Sequence, residues 1–314
     1  MTGERRGPRG PARGIIAAVF TPFDAAGDLA LDRVTRIALQ TIAEGAEAIF
    51  AGGTTGEAES LTVAERKAVA ESYLKAAHEK VPVIVQVGRN CLREAQDLAA
   101  HAQKIGAAAI AAAPPSYFKP GSAVLLVECM REIGSAAPEL PFYYYHIPGL
   151  TGVSIPMAEF LALAAERFPA LAGIKYSGFD ILDMKACIDF DRGRFDFLFG
   201  SDELLLTGLL SGACGAIGST YNFAAPLYRR IWANFDAGRL DQARRLQDHA
   251  VRMISILQRA GGQPAFKAVM QFIGLDCGPS RLPQETLSPA VRDGLRRELE
   301  SIGFFDWARP PRAG

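Results

Sequence analysis

With 314 residues, 34 basic and 34 acidic side chains, 49% hydrophobic and 22% charged content, the chain has the make-up of a soluble globular protein. A formal net charge of +0 leaves no electrostatic footprint for nucleic acid or an anionic membrane, and no run approaches the ~18 consecutive apolar residues of a membrane span. The 5 cysteines are scattered without a CxxC pair and the 4 histidines show no ligand spacing, which predicts reduced thiols, a cytoplasmic protein and no zinc site.

In chain order, residues 1–14 (MTGERRGPRGPARG) hold four arginines among Gly and Pro. They lack the apolar stretch of a signal peptide and predict a flexible tail, with a nucleic-acid-binding arm as the other reading. Short apolar runs then predict strands at 15–20, 46–51, 81–87, 107–113, 141–145, 171–175, 195–200 and 215–219. Amphipathic stretches between them predict helices at 31–44, 91–105, 122–136, 156–167, 180–188 and 203–211, and Thr62-x-x-Glu65 reads as a capping box that opens another. The strands recur about every 29 residues, close to the ~30 of a βαβ unit. Because the runs are continuously apolar rather than alternating, they suit a parallel sheet covered by helices. Eight such units predict an α/β fold, a (β/α)8 TIM barrel over 15–225; an open doubly wound sheet is the other arrangement of the same series. Helical patterns at 226–236, 239–260, 264–273 and 289–301 exceed one closing helix. They predict a C-terminal helical appendage over 226–314, packed on the barrel or on a neighbouring subunit.

In such barrels reactive groups occupy the C-terminal strand ends and the loops beyond them. That rule selects Thr54 and Thr55 after the second strand, Tyr117 after the fourth, Tyr145 and His146 at the fifth, and Lys175 and Ser177 at the sixth. Asp202 and Glu203 follow the seventh strand and Ser219 the eighth. Of 8 lysines, Lys175 alone ends an apolar strand, LAGIK. A lysine there is costly unless paired or held neutral, and a neutral amine forms Schiff bases with carbonyl substrates; snorkelling to solvent or pairing with a carboxylate is the structural reading. GGTTGE (52–57) offers N–H groups and hydroxyls suited to a carboxylate or phosphate, or is simply a tight turn, and it lacks the P-loop pattern of a nucleotide site. In YYYH, Tyr143 and Tyr145 share a face with Tyr145 nearest the reactive end. Tyr143 and Tyr144 read as packing, and His146 lies just outside the strand on the opposite face. The acids of GSDE (200–203) either meet substrate hydroxyls or favour the first turn of a helix.

Taken in order, GTTGE (53–57), YHIPGLTG (145–152), GIKYSG (173–178), GSDE (200–203) and GAIGSTYN (215–222) resemble the N-acetylneuraminate lyase / dihydrodipicolinate synthase superfamily of lysine-dependent aldolases, from about residue 14 to 305. The resemblance implies a barrel with C-terminal helices, a homotetramer, and a Schiff base to the C2 carbonyl of pyruvate or a similar 2-oxo acid, with no metal or organic cofactor. By it Lys175 is the imine lysine, Tyr145 the proton shuttle, and Thr54 and Thr55 the holders of the 2-oxo acid carboxylate. Tyr117, in PPSYFKP, resembles the tyrosine that some members lend across a subunit interface. Leu150 stands where the synthases carry an arginine that grips the carboxylate of the aldehyde, which leucine cannot do. Sialic acid lyases have an apolar residue there and Gly-x-Asp-Glu after strand seven. The resemblance therefore places Gly200, Asp202, Glu203, Ser219 and Ser177 (threonine in many lyases) on the sugar hydroxyls. The implied reaction is reversible cleavage of N-acetylneuraminate to N-acetylmannosamine and pyruvate. Another pyruvate-dependent 2-oxo acid aldolase or dehydratase (a 2-keto-3-deoxy sugar acid aldolase nearest), a dihydrodipicolinate synthase and a non-catalytic sugar-acid sensor are the alternatives.

Overall fold

Each of the eight apolar runs forms a strand in the computed structural model, which describes residues 10–308. The strands are β1 (Gly14–Ala18), β2 (Ala48–Ala51), β3 (Val83–Gln86), β4 (Ala109–Ala112), β5 (Phe142–His146), β6 (Leu171–Tyr176), β7 (Asp196–Phe199) and β8 (Gly215–Gly218). All pair in parallel in sequence order, and β8 returns to β1, so the sheet closes into a barrel. The closed barrel, rather than the open sheet, is the arrangement adopted.

Helices fill the intervals: α1 (Val34–Ala43), α2 (Val63–Ala77), α3 (Leu92–Lys104), α4 (Ala123–Gly134), α5 (Pro148–Thr151), α6 (Met157–Arg167), α7 (Ile181–Asp189) and α8 (Leu205–Ser211). The capping box at the head of α2 forms in both directions, Glu65 N–H donating to Thr62 Oγ1 (3.2 Å) and Thr62 N–H to Glu65 Oε2 (2.8 Å). Beyond β8 come α9 (Tyr221–Asp236), α10 (Leu240–Arg259), α11 (Gln263–Phe272), α12 (Pro289–Ser301) and α13 (Phe304–Trp307). The first of these starts earlier than the expected 226. Pro226 reads as a helix start, but Ala224 (φ −139°) interrupts the geometry just before it. The proline thus sits in the first regular turn, where its missing N–H costs little.

Period-two alternation divides the core. Side chains two apart on each strand, such as Ala48/Phe50, Ala109/Ala111 and Tyr143/Tyr145, fill the barrel interior. Ala111 lies beside Tyr143 in register, so the small residues of β4 make room for the tyrosines of β5. The other strand faces pack under the helices in a second, larger cluster. Of the tail expected over 1–14, residues 10–13 lie against the N-terminal mouth of the barrel, where Ala12 is buried and Gly10 N–H donates to Asp196 Oδ2 (2.9 Å); residues 1–9, like 309–314, lie outside the described residues. Among the described residues no helix is long and apolar enough to cross a membrane.

Candidate active site

Parallel register sets Lys175 of β6 beside Tyr145 of β5 at the C-terminal mouth. Both side chains point into the barrel, Lys175 4% and Tyr145 3% exposed. Lys175 Nζ lies 3.8 Å from the centroid of the Tyr145 ring and 4.3 Å from that of Phe50. No carboxylate among the described residues comes within ion-pair distance of it, so the amine neither snorkels nor serves a structural pair. It borders a cleft of about 230 Å³.

One side of that cleft is the GTTGE turn. Thr54 Oγ1 and the Tyr145 hydroxyl are 3.2 Å apart, and Thr55 Oγ1 and Ser219 Oγ are 2.6 Å apart. The turn carries Glu57 in the left-handed region (φ 53°), a conformation that non-glycine residues hold only with support. Support comes from a buried ion pair with Lys267 of α11 (2.6 Å) and from Arg281 N–H, which donates to Glu57 Oε2 (2.9 Å). Gln263 Nε2 also donates to the Thr55 carbonyl (2.6 Å). Lys267 is therefore a second buried lysine, which the sequence placed in a helix and did not single out. The apolar run around it, AFKAVM, was the available signal.

The other side comes from the loops after β6, β7 and β8. Ser177 N–H donates to the His146 carbonyl (2.8 Å) and Gly200 N–H to the Tyr176 carbonyl (2.8 Å), which carries the β5–β6 and β6–β7 ladders one residue past the strand ends. A Cβ on Gly200 would meet Ser177 Oγ and stand 2.9 Å from the backbone carbonyl oxygen of Tyr176, which cannot turn away, so this close approach favours glycine. Asp202 is buried, and Thr220 donates to its Oδ2 through both N–H (2.9 Å) and hydroxyl (2.6 Å). The Thr220 hydroxyl in turn lies 2.7 Å from that of Tyr228. Burial pushes the Asp202 carboxyl up from 3.8 to about 6, against the Thr220 hydrogen bonds that favour the carboxylate. Glu203 is half-buried and faces the cleft. Ile254 and Gln258 of α10 and Phe266 of α11 complete the wall, together with Phe179, which is 74% exposed. The strand-end rule could not reach the first three, which belong to the appended helices; Phe179 lies on the loop after β6 that the rule covers, but its apolar side chain was not singled out there.

Thr54, Thr55, Tyr145, Lys175, Ser177, Gly200, Asp202, Glu203 and Ser219 all line this one cleft. Tyr117 does not: its side chain is 78% exposed on a loop pinned by Asn90 Oδ1, which accepts the Ser116 and Tyr117 N–H groups at 2.8 and 2.9 Å. His146 belongs to β5 as its last residue rather than lying beyond it, and its ring packs 4.8 Å from Tyr176 outside the barrel. Burial pushes its imidazole down to about 4, which keeps it neutral near pH 7. A roomier open groove, about 700 Å³, lies beside the C-terminal end of α2 and the start of β3, and neither Lys175 nor any other residue of the cleft lines it.

Residues 11–302 match the model of the dihydrodipicolinate synthetase family. Over 298 residues the chain is 41% identical to N-acetylneuraminate lyase of Xenopus tropicalis, covering 93% of this chain and 97% of that one. It is 38% identical to N-acetylneuraminate lyase of Homo sapiens over 305 residues, 96% and 95% of the two chains. The solved structure of Proteus mirabilis N-acetylneuraminate lyase superposes with a TM-score of 0.91 at 34% identity, over 94% of this chain and 100% of that one.

Proposed function

The chain belongs to the dihydrodipicolinate synthetase family, and we propose that within it the protein is a class I aldolase that cleaves N-acetylneuraminate reversibly to N-acetylmannosamine and pyruvate. The observation that carries this reading is Lys175 Nζ, buried without a carboxylate partner against the Tyr145 ring at the open mouth of the barrel. Such an amine adds to the C2 carbonyl of the open-chain sugar acid and expels water to form an iminium. The iminium accepts the electron pair of the C3–C4 bond as the C4 hydroxyl gives up its proton, releasing the aldehyde and leaving an enamine. Tyr145, linked to Thr54 at 3.2 Å, relays that proton: its phenol passes its own proton to the substrate carboxylate held by Thr54 and Thr55 as it takes up the one from the C4 hydroxyl, and the reverse relay returns a proton for C3. The enamine is then protonated at C3 and hydrolysed to pyruvate, which frees Lys175. The imine is the electron sink, so the chemistry calls on no further cofactor.

Ser177, Gly200, Asp202, Glu203 and Ser219 bind the sugar hydroxyls in this reading, and the appended helices beyond the 15–225 barrel close that end of the cleft. Asp202 and Glu203 suit a polyhydroxyl chain and repel the carboxylate of an amino-acid aldehyde, which favours the lyase over the synthase. The reading also includes a cytoplasmic homotetramer. Its oligomeric part is supported by the exposed pair Tyr117 (78%) and Phe118 (85%), apolar rings of the kind that a neighbouring subunit covers.

Borohydride reduction with pyruvate is expected to add a stable mass to Lys175, and absence of that adduct defeats the aldolase reading. Pyruvate release from N-acetylneuraminate, measured beside 2-keto-3-deoxygluconate, tests the sugar half. Cleavage of the second alone assigns the chain to a 2-keto-3-deoxy sugar acid aldolase instead.

A further inference from the structure

Asp202 and Glu203 stand on a single 3-10 turn, Asp202–Leu204, that runs directly into α8. The first N–H groups of a helix lack partners within it, and Leu204 at the head of α8 supplies no side-chain cap. The missing cap arrives from another element. Gln247 of α10, 8% exposed, accepts a hydrogen bond from Leu206 N–H through Oε1 (3.0 Å). From the same amide, Nε2 donates to the carbonyls of Asp202 (3.2 Å) and Glu203 (2.8 Å). Among side chains, only a carboxamide presents a fixed acceptor and two donors on one planar group. Gln247 therefore fixes the backbone of both acidic residues and the axis of the helix behind them.

We propose that Gln247 is a positioning residue for the sugar half of the substrate, acting through the Asp202–Glu203 turn. This rests on the aldolase reading above and adds a division of labour to it. The GTTGE turn is held by separate contacts, Gln263 to the Thr55 carbonyl and Lys267 to Glu57, so the carboxylate half of the site does not depend on Gln247. Loosening one turn should weaken sugar-acid binding and leave pyruvate imine formation intact.

The test is Gln247→Met, close in volume but without polar atoms, in the full-length protein. The KM for N-acetylneuraminate is expected to rise about tenfold, with kcat within about threefold and the pyruvate concentration for half-maximal borohydride trapping within about twofold of wild type. Gln247→Glu keeps the acceptor for Leu206 N–H but turns an oxygen on both carbonyls, so it should raise that KM at least as far. Either variant serves alone if the other does not fold. Sugar-acid KM and pyruvate half-saturation rising together would reveal a merely structural role and overturn the proposal, as would a folded variant in which neither changes. If wild type traps pyruvate yet spares N-acetylneuraminate, the lyase reading fails while the split is read with 2-keto-3-deoxygluconate; cleavage of neither overturns both.

Discussion

Tyr143 and Tyr145 leave the same face of β5, two residues apart, toward opposite mouths of the barrel, and each mouth holds a buried aspartate, Asp196 at one and Asp202 at the other. At the N-terminal mouth Tyr143 donates to Asp196 Oδ2 (2.9 Å), and Gly10 N–H donates to the same oxygen (2.9 Å). A Cβ on Gly10 would collide with the Tyr143 hydroxyl, so the segment entering β1 lies flush against this pair. At the C-terminal mouth the corresponding groups are kept apart. Tyr145 turns to Thr54, Thr220 occupies Asp202, and Lys175, over the Tyr145 ring, lines the same cleft. Tyrosine and acid that saturate each other close a barrel end, whereas the same groups satisfied from behind leave room and polarity for a ligand.

The largest expected effect lies at the open end. Lys175→Ala should lower kcat for sugar-acid cleavage by ~10⁴-fold or more, as loss of a covalent nucleophile does, and abolish the borohydride adduct. Tyr145→Phe comes next: kcat falls by ~10²–10⁴-fold, the range for a lost proton-transfer group, while pyruvate is still trapped on Lys175. A Tyr145→Phe enzyme with wild-type kcat would break the contrast between the two tyrosines, because both would then be packing residues.

Asp202 offers a test through pH. Its folded value of about 6 lies above the unfolded 3.8, so the folded state binds this proton more tightly. The resulting stability is full below pH 4 and is lost as pH rises through about 6, by up to ~3 kcal/mol. Urea unfolding from pH 4 to 7 should show this loss in wild type relative to Asp202→Asn, which has no proton to release. A difference between the two that does not change with pH would mean that Asp202 is not held away from water as its burial implies. Asp196 is shifted in the same direction, chiefly by burial, so its own loss runs with the same sign.

Much of this was legible in the sequence for a simple reason. Apolar runs at a regular interval leave a parallel barrel few alternatives, and the strand-end rule then brings Lys175, Tyr145, Thr54, Thr55 and Ser219 to one mouth. What escaped was tertiary. Gln247 and Lys267 sit in amphipathic helices, where a polar residue reads as solvent-facing until the docking of that helix is known. Tyr117 follows β4 as the rule requires, yet its loop carries the ring away from the cleft of its own chain. The aromatic run marked Tyr143 as buried, but nothing in it indicates that its hydroxyl finds Asp196, 53 positions along the chain.

Tyr143 supplies the smallest and most discriminating test. Burial, and then Asp196, push its phenol well up, so it remains a neutral donor at any physiological pH. Tyr143→Phe removes that donor from a buried carboxyl and should cost ~1–3 kcal/mol in urea unfolding near neutral pH, the penalty of an unmade buried hydrogen bond. Asp196→Asn keeps an acceptor for Gly10 N–H and for the phenol, so it should cost less, and the double variant should cost less than the two singles summed because they share one contact. With folded protein, kcat and the pyruvate adduct on Lys175 should match wild type in all three. Strict additivity would mean that the pair does not close the mouth as a unit, and a Tyr143→Phe protein of normal stability but impaired turnover would move this tyrosine from closure to chemistry.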